Sequence, residues 1–142
     1  MSENDQALIE AALEARSRAY SPYSKFSVGC AILLEDGTVV QGNNQENAAY
    51  PSGLCAERVA IFAAGANHPN KPIVKLAIAA SPMDDSLHRP VPPCGACRQS
   101  IAEYEKKQEN PIELLFMGAD GPVMRSNSIS DLLPLIFDKA YL

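Results

Sequence analysis

Apolar residues near the start of the chain recur on one side of a helix. Leu8, Ile9, Ala12 and Leu13 fall at i, i+1, i+4 and i+5, while Glu10, Glu14 and Arg16 lie mostly elsewhere. This spacing predicts a helix capped by Asp5 and running to about Ala19, ended by the turn Ser21-Pro22-Tyr23-Ser24. Val28 to Leu34 then reads as a buried strand, Glu35-Asp36-Gly37 as a hairpin turn and Thr38 to Gln41 as its partner. After the polar loop Gly42 to Asn47, a second helix is expected from near Cys55 to about Gly65, with Gly65, Asn67 and Pro69 marking its stop. Val74 to Ala80 is continuously apolar, the pattern of a strand covered on both faces. Ser81 to Pro93 reads as a loop whose end, Pro90-Val91-Pro92-Pro93, cannot continue a strand or helix.

A third helix is predicted from about Cys94 to Lys106. Ile112 to Met117 and Val123 to Arg125 are joined by Gly118-Ala119-Asp120-Gly121-Pro122, too short for a crossover helix. These last strands are therefore expected as an antiparallel hairpin. Asp131 to Phe137 is expected as a terminal helix, interrupted or kinked by Pro134. Strands alternating with helices make this an α/β chain. No repeat, low-complexity tract or linker divides it, so residues 1–142 are expected to form one domain.

Composition narrows the class. A chain of 142 residues buries about 68–70% of the surface its unfolded form exposes, enough for a core without staples. Twelve Lys and Arg against seventeen Asp and Glu leave a formal charge of −5, which argues against a nucleic-acid polymer as partner. The longest apolar run, Val59 to Ala66 counting Gly65, has eight residues, far short of the roughly 18 of a membrane span. The start MSENDQALIE has no basic stretch followed by an apolar one. The expectation is a cytoplasmic protein.

Four cysteines in a reducing compartment need a reason other than disulfides. Cys94 and Cys97 form a C-x-x-C pair at one predicted helix start, and Cys55 heads the other. Three readings compete: a redox dithiol, a closed four-cysteine zinc site, and a catalytic zinc with three protein ligands. The four-thiolate reading needs Cys30, which lies inside the strand Val28 to Leu34, where a lone cysteine usually packs as a small apolar residue. Without it three ligands remain, the catalytic count.

Glu57, two residues beyond Cys55, stands on the same first helical turn, where it could serve as a proton-shuttling acid/base. Its simpler role is an acidic residue favoured by the helix dipole. Zinc with three thiolates carries net charge −1 and is a poor Lewis acid. Two helix N-termini, each worth roughly +0.5, together with Arg58 and Arg98 as groups behind the ligands, would offset that charge.

Cys55-Ala56-Glu57-Arg58 followed by Pro93-Cys94-Gly95-Ala96-Cys97-Arg98-Gln99 resembles the zinc site of the small homotetrameric cytidine deaminases. The likeness runs from Ser21-Pro22-Tyr23-Ser24-Lys25-Phe26 to Leu132-Leu133-Pro134. It implies a three-layer α/β/α fold on a mixed five-stranded sheet. It also implies one Zn2+ per subunit on Cys55, Cys94 and Cys97, with hydrolysis of cytidine and deoxycytidine to uridine and deoxyuridine in pyrimidine salvage. In the zinc deaminase mechanism, zinc hydroxide attacks carbon 4 and a glutamate, here Glu57, shuttles the protons.

By the same resemblance Asn44 and Glu46 contact the ribose, Phe26 lines the base pocket, and the Ala56 carbonyl accepts from the departing amine. Tyr50 and Phe137 match positions that enter a neighbouring subunit's site, implying a homotetramer with shared active sites. Taken alone, Phe26 and Phe137 would pass as core packing, and Asn44 and Glu46 as turn chemistry. The chain departs from the frequent family pattern G-C-N-I-E-N at Asn43 and Gln45, and carries Cys30 where small residues are common.

A blasticidin-S deaminase would share the zinc chemistry, but Arg58 and the Asn44/Glu46 pair favour the nucleoside enzyme. Deaminases that edit RNA or DNA are disfavoured by the negative charge and the antiparallel hairpin. A structural zinc or redox module without catalysis remains the alternative from another class. His68 and His88 read as solvated loop residues.

Overall fold

A computed structural model describes residues 1–142. Helix α1 spans Glu3–Arg16 and is capped by Ser2, not by Asp5. Ser2 Oγ accepts from the Asp5 N–H and the Asp5 carboxylate accepts from the Ser2 N–H, both at 3.1 Å. Asp5 thus serves as the third helical residue of a capping box. The helix ends at Arg16, short of Ala19, where the guanidinium turns to the carbonyls of Ser27, Ser81 and Pro82.

The strands are β1 (Phe26–Leu34), β2 (Val39–Asn43), β3 (Ile73–Pro82), β4 (Glu113–Met117) and β5 (Met124–Ser126). They form one sheet in the order β2-β1-β3-β4-β5. β3 and β4 are parallel, joined through α3 (Gly95–Lys106); every other pair is antiparallel, including the β4/β5 hairpin. Helix α2 (Ala56–Asn67) connects β2 to β3.

Side chains alternate across the sheet and build two cores. Cys30, Ile32 and Leu34 of β1, Leu76 and Ile78 of β3, and Leu114 and Phe116 of β4 pack against α2 and α3. Ala31, Ala77, Ala79, Leu115 and Met117 pack on the other face against Leu8, Ile9 and Ala12 of α1. The result is the three-layer α/β/α arrangement on a mixed sheet.

Two glycines allow the helices to sit this close. A Cβ at Gly29 would overlap the Ala12 carbonyl of α1, and one at Gly42 would lie 2.6 Å from the Ala60 nitrogen and 2.8 Å from the Ala56 carbonyl oxygen of α2.

The C-terminus differs from expectation. Asp131 to Phe137 is not a helix; a 3-10 turn covers Ile129–Asp131 and another covers Lys139–Tyr141. Pro134 disfavours α conformation at Leu133, and Arg98 and Gln99 donate to the Leu132 and Phe137 carbonyls at 2.7 and 2.8 Å, so the segment is tied to α3. No helix is long and apolar enough to cross a membrane.

Candidate active site

Cys55 is the N-cap of α2 and Cys94 the N-cap of α3. Both helices pack on one face of the sheet, so their N-termini, with Cys97 in the first turn of α3, meet at one point. The three Sγ atoms lie within 4.8 Å of one another, Cys55 and Cys94 at 4.0 Å. Tetrahedral zinc with Zn–S near 2.3 Å separates its sulfurs by about 3.8 Å, so the donor set fits zinc in number, type and spacing. The fully buried Cys30 belongs to the same core as Ala56 and Ala60 and stands outside this group.

The electrostatics suit a cation. A hydrogen bond from Cys97 and then one from Arg58 hold the Cys55 thiol well below its ordinary range. The same bond to Cys55, followed by burial, pushes Cys97 up. Within the protein one sulfur therefore holds the negative charge most readily, and a divalent ion would let all three ionise.

Arg58 Nη2 donates to Cys55 Sγ at 3.4 Å, and its Nε is buried without a hydrogen-bond partner. Glu57 is only 5% exposed, and burial raises its carboxyl above the ordinary value. Arg58 thus touches the sulfur cluster, and the buried Glu57 stands on the same helical turn.

Arg98 does not join it. Its Nε donates to the Pro93 carbonyl at 2.8 Å and its Nη1 to the Leu132 carbonyl at 2.7 Å, tying the proline-rich lead-in to the C-terminal segment. Position beside Cys97 in sequence suggested a role behind the metal; the side chain is spent on carbonyls instead.

A cleft of about 500 Å³ opens beside the cluster, within the size range of small-molecule sites. Cys55 and Arg58 are among its lining residues, together with Asn44, Glu46 and Tyr50. Asn44 is 8% exposed; its Oδ1 accepts from the Val28 N–H at 2.9 Å and its Nδ2 donates to the Phe26 carbonyl at 2.8 Å. Each bond ties the loop to β1, and one Nδ2 hydrogen remains beyond them.

Glu46 accepts the N–H groups of Tyr23 and Ser24 at 2.9 and 3.1 Å, and the Ser24 hydroxyl. The Ser24 bond comes first among the causes holding its carboxyl below the ordinary value. Sequence reading assigned Tyr23 and Ser24 no role, because a turn serine shows no partner until the chain is folded. The unusual Asn43 and Gln45 are mutually bonded at 2.6 Å, and Asn43 also donates to the Ala15 carbonyl at 3.0 Å.

The remaining candidates stand apart. Phe26 begins β1 and meets the network through its backbone. Ala56 is fully buried, with its carbonyl against Gly42. Tyr50, 75% exposed, stands on the rim of its own chain's cleft beside Tyr23, with ring centroids 5.9 Å apart. Phe137 is 59% exposed and stacks on Tyr141 rather than entering the cleft of its own chain.

Comparisons with known proteins agree with this geometry. The family described as "Cytidine and deoxycytidylate deaminase zinc-binding region" matches residues 2–109. A cytidine deaminase of Halalkalibacterium halodurans is 41% identical over 132 residues, covering 93% of this chain and 92% of that one. One of Sporosarcina psychrophila is 41% identical over 134 residues, covering 94% and 91%. The crystal structure of cytidine deaminase from Burkholderia pseudomallei superposes with a TM-score of 0.82 at 40% identity, over 96% of this chain and all of that one. Both cysteine-bearing helix starts fall within the matched region, and the sheet that holds them is shared with the solved structure; the chain belongs to the cytidine and deoxycytidylate deaminase family.

Proposed function

We propose that residues 1–142 form one deaminase domain that hydrolyses cytidine and deoxycytidine to uridine and deoxyuridine with release of ammonia, in cytoplasmic pyrimidine salvage. The observation that carries this reading is the meeting of three cysteine sulfurs, one of them (Cys55) lining a cleft of about 500 Å³, with the buried Glu57 on the same helical turn as Cys55. Cys55, Cys94 and Cys97 would hold one Zn2+, which when bound supplies Lewis-acid activation of water.

The protein's own groups do the rest. Glu57 takes a proton from the attacking water and delivers it to ring nitrogen 3, then takes the hydroxyl proton of the carbon-4 adduct and passes it to the amine, which leaves as ammonia. A carboxyl raised by burial suits a group that must both accept and return a proton. Arg58 draws charge from the Cys55 sulfur and keeps the thiolate cluster from being too electron-rich.

The sugar is held by complementary capacity. Asn44 keeps one N–H donor after its bonds to β1, and Glu46 keeps one acceptor position on Oε2 after its bonds to the turn. A 3′ hydroxyl both donates and accepts, so this pair suits it. Phe26 would flank the base, and the Ala56 carbonyl would accept from the amine. Exposure of Tyr50 and Phe137 suits aromatic groups that cross into neighbouring sites of a homotetramer.

Purified protein tests the reading directly. Metal analysis should give about one zinc per chain, and cytidine absorbance should fall as ammonia appears. Glu57→Gln should keep zinc and lose about 10²–10⁴ in rate. Zinc without turnover on any cytosine nucleoside would overturn the enzymatic reading, and a fast Glu57→Gln variant would remove Glu57 as the shuttle. Sedimentation of an active monomer would exclude sites shared between subunits.

A further inference from the structure

The Ser21-Pro22-Tyr23-Ser24 turn does more than reverse the chain. A carboxylate has about four acceptor positions. On Glu46, Oε1 takes the Tyr23 and Ser24 N–H groups and Oε2 takes the Ser24 hydroxyl. One position, on Oε2, remains. Its direction is set by where the Ser24 hydroxyl sits.

That hydroxyl is itself held. The Phe26 N–H donates to Ser24 Oγ at 3.0 Å. The competing acceptor for the Ser24 proton, the Phe26 carbonyl, lies at 3.4 Å and already takes Asn44 Nδ2 at 2.8 Å. The carboxylate is the stronger acceptor and receives the proton. Lys25 adopts φ 57°, a left-handed conformation that L residues seldom take, and its N–H closes the turn on the Ser21 carbonyl at 3.1 Å. Phe26, Asn44 and Glu46 are thereby linked through one exposed serine.

From this geometry we infer that Ser24 is a positioning residue for sugar recognition: it locks Glu46 Oε2 so that its one remaining acceptor position meets the 3′ hydroxyl. The inference rests on the proposed sugar contact of Glu46. Ser24 touches no substrate atom and acts through the carboxylate.

The test compares kcat/KM for cytidine and 3′-deoxycytidine in the zinc-loaded enzyme and three variants. Ser24→Ala should lower the cytidine to 3′-deoxycytidine ratio about tenfold, chiefly through KM for cytidine, since the lost interaction is one of binding. Deoxycytidine, which keeps the 3′ hydroxyl, should lose as much as cytidine. Ser24→Thr, which keeps a hydroxyl, should restore the ratio, and Glu46→Ala should collapse it. Ser24 is exposed, so its truncation leaves no buried cavity, and zinc content and Tm report on folding.

A Ser24→Ala enzyme with the parent ratio, alongside a collapsed Glu46→Ala ratio, would overturn the role of Ser24 and leave the Glu46 contact standing. Equal losses on cytidine and 3′-deoxycytidine in Ser24→Ala would also overturn it, as a merely structural effect. An unchanged ratio in Glu46→Ala would instead remove the sugar contact, and the inference with it.

Discussion

Arg58 lies one helical turn beyond Cys55 and donates to its sulfur at 3.4 Å, while the Nε of the same guanidinium is buried without a partner. The side chain is committed to the sulfur cluster. A solvated helix arginine would instead leave its nitrogens in water. Hydrogen bonds to charged groups contribute about 1.5–3 kcal/mol, or roughly 10–100-fold. Arg58→Gln should therefore keep about one zinc, since all three cysteines remain, and lower kcat by about 10–100-fold. Metal analysis with steady-state kinetics checks this, and an undiminished kcat would detach Arg58 from the chemistry.

Arg98 predicts the opposite pattern. Its bonds go to the carbonyls of Pro93 and Leu132, so its loss should loosen the C-terminal segment and spare the metal. Arg98→Ala should lose about 2 kcal/mol of stability. Hydrogen exchange should rise along residues 129–137 while zinc content stays at that of the parent. Loss of zinc with no change in exchange would place Arg98 at the cluster after all.

The difference between these two arginines marks what the sequence made legible. Cys55, Glu57 and Arg58 share one helical turn, and Cys94 and Cys97 share another, so local spacing suffices to group them. That Cys94 meets Cys55 follows only loosely, from two helix starts expected at one side of a sheet. Arg98 chooses partners 5 and 34 residues away, and adjacency to Cys97 gives no hint of the second. The helix expected at Asp131 to Phe137 failed for a similar reason. Its apolar residues satisfy a helical spacing, but the Leu132 and Phe137 carbonyls are claimed by Arg98 and Gln99 of α3. Ser2 was overlooked as the cap because Asp5, equally suited by type, lies closer to the apolar run.

Gly95 and Gly42 invert their prominence in the sequence. Gly95, inside the C-x-x-C motif, has open space where a Cβ would stand, whereas a Cβ at Gly42 would press into the backbone of α2 at Ala56 and Ala60. Gly95→Ala should keep zinc and gain about 0.4–1 kcal/mol from a less flexible unfolded chain. Gly42→Ala should lose about 1–3 kcal/mol or more and, by displacing the first turn of α2, lose zinc and activity together. Thermal melts with metal analysis distinguish the two. A stable, zinc-replete Gly42→Ala would show that the β2–α2 approach does not set the position of Cys55.

Asp5 contributes a pH dependence to folding. Its carboxylate, 4% exposed, pairs with Lys75 and with Arg125 at 2.7 Å, while Glu113 binds the same two cations from β4. Lys75 first, then Arg125, hold the Asp5 carboxyl well below its ordinary value of 3.8, against the opposing effect of burial. As pH falls through 3.8 the unfolded chain takes up this proton before the folded one does, so stability falls with pH. The contribution is fully present above that value and is lost as pH approaches the folded pKa. Asp5→Asn keeps a side-chain acceptor for the Ser2 N–H but removes the charge. At pH 7 it should lose about 2 kcal/mol, lowering Tm by about 4–8 °C. The gap between parent and variant should narrow steadily below about pH 4, where the parent's advantage titrates away. Denaturant melts from pH 7 to pH 3 measure it, and a gap constant across that range would assign the role of Asp5 to its shape in the capping box rather than to its charge.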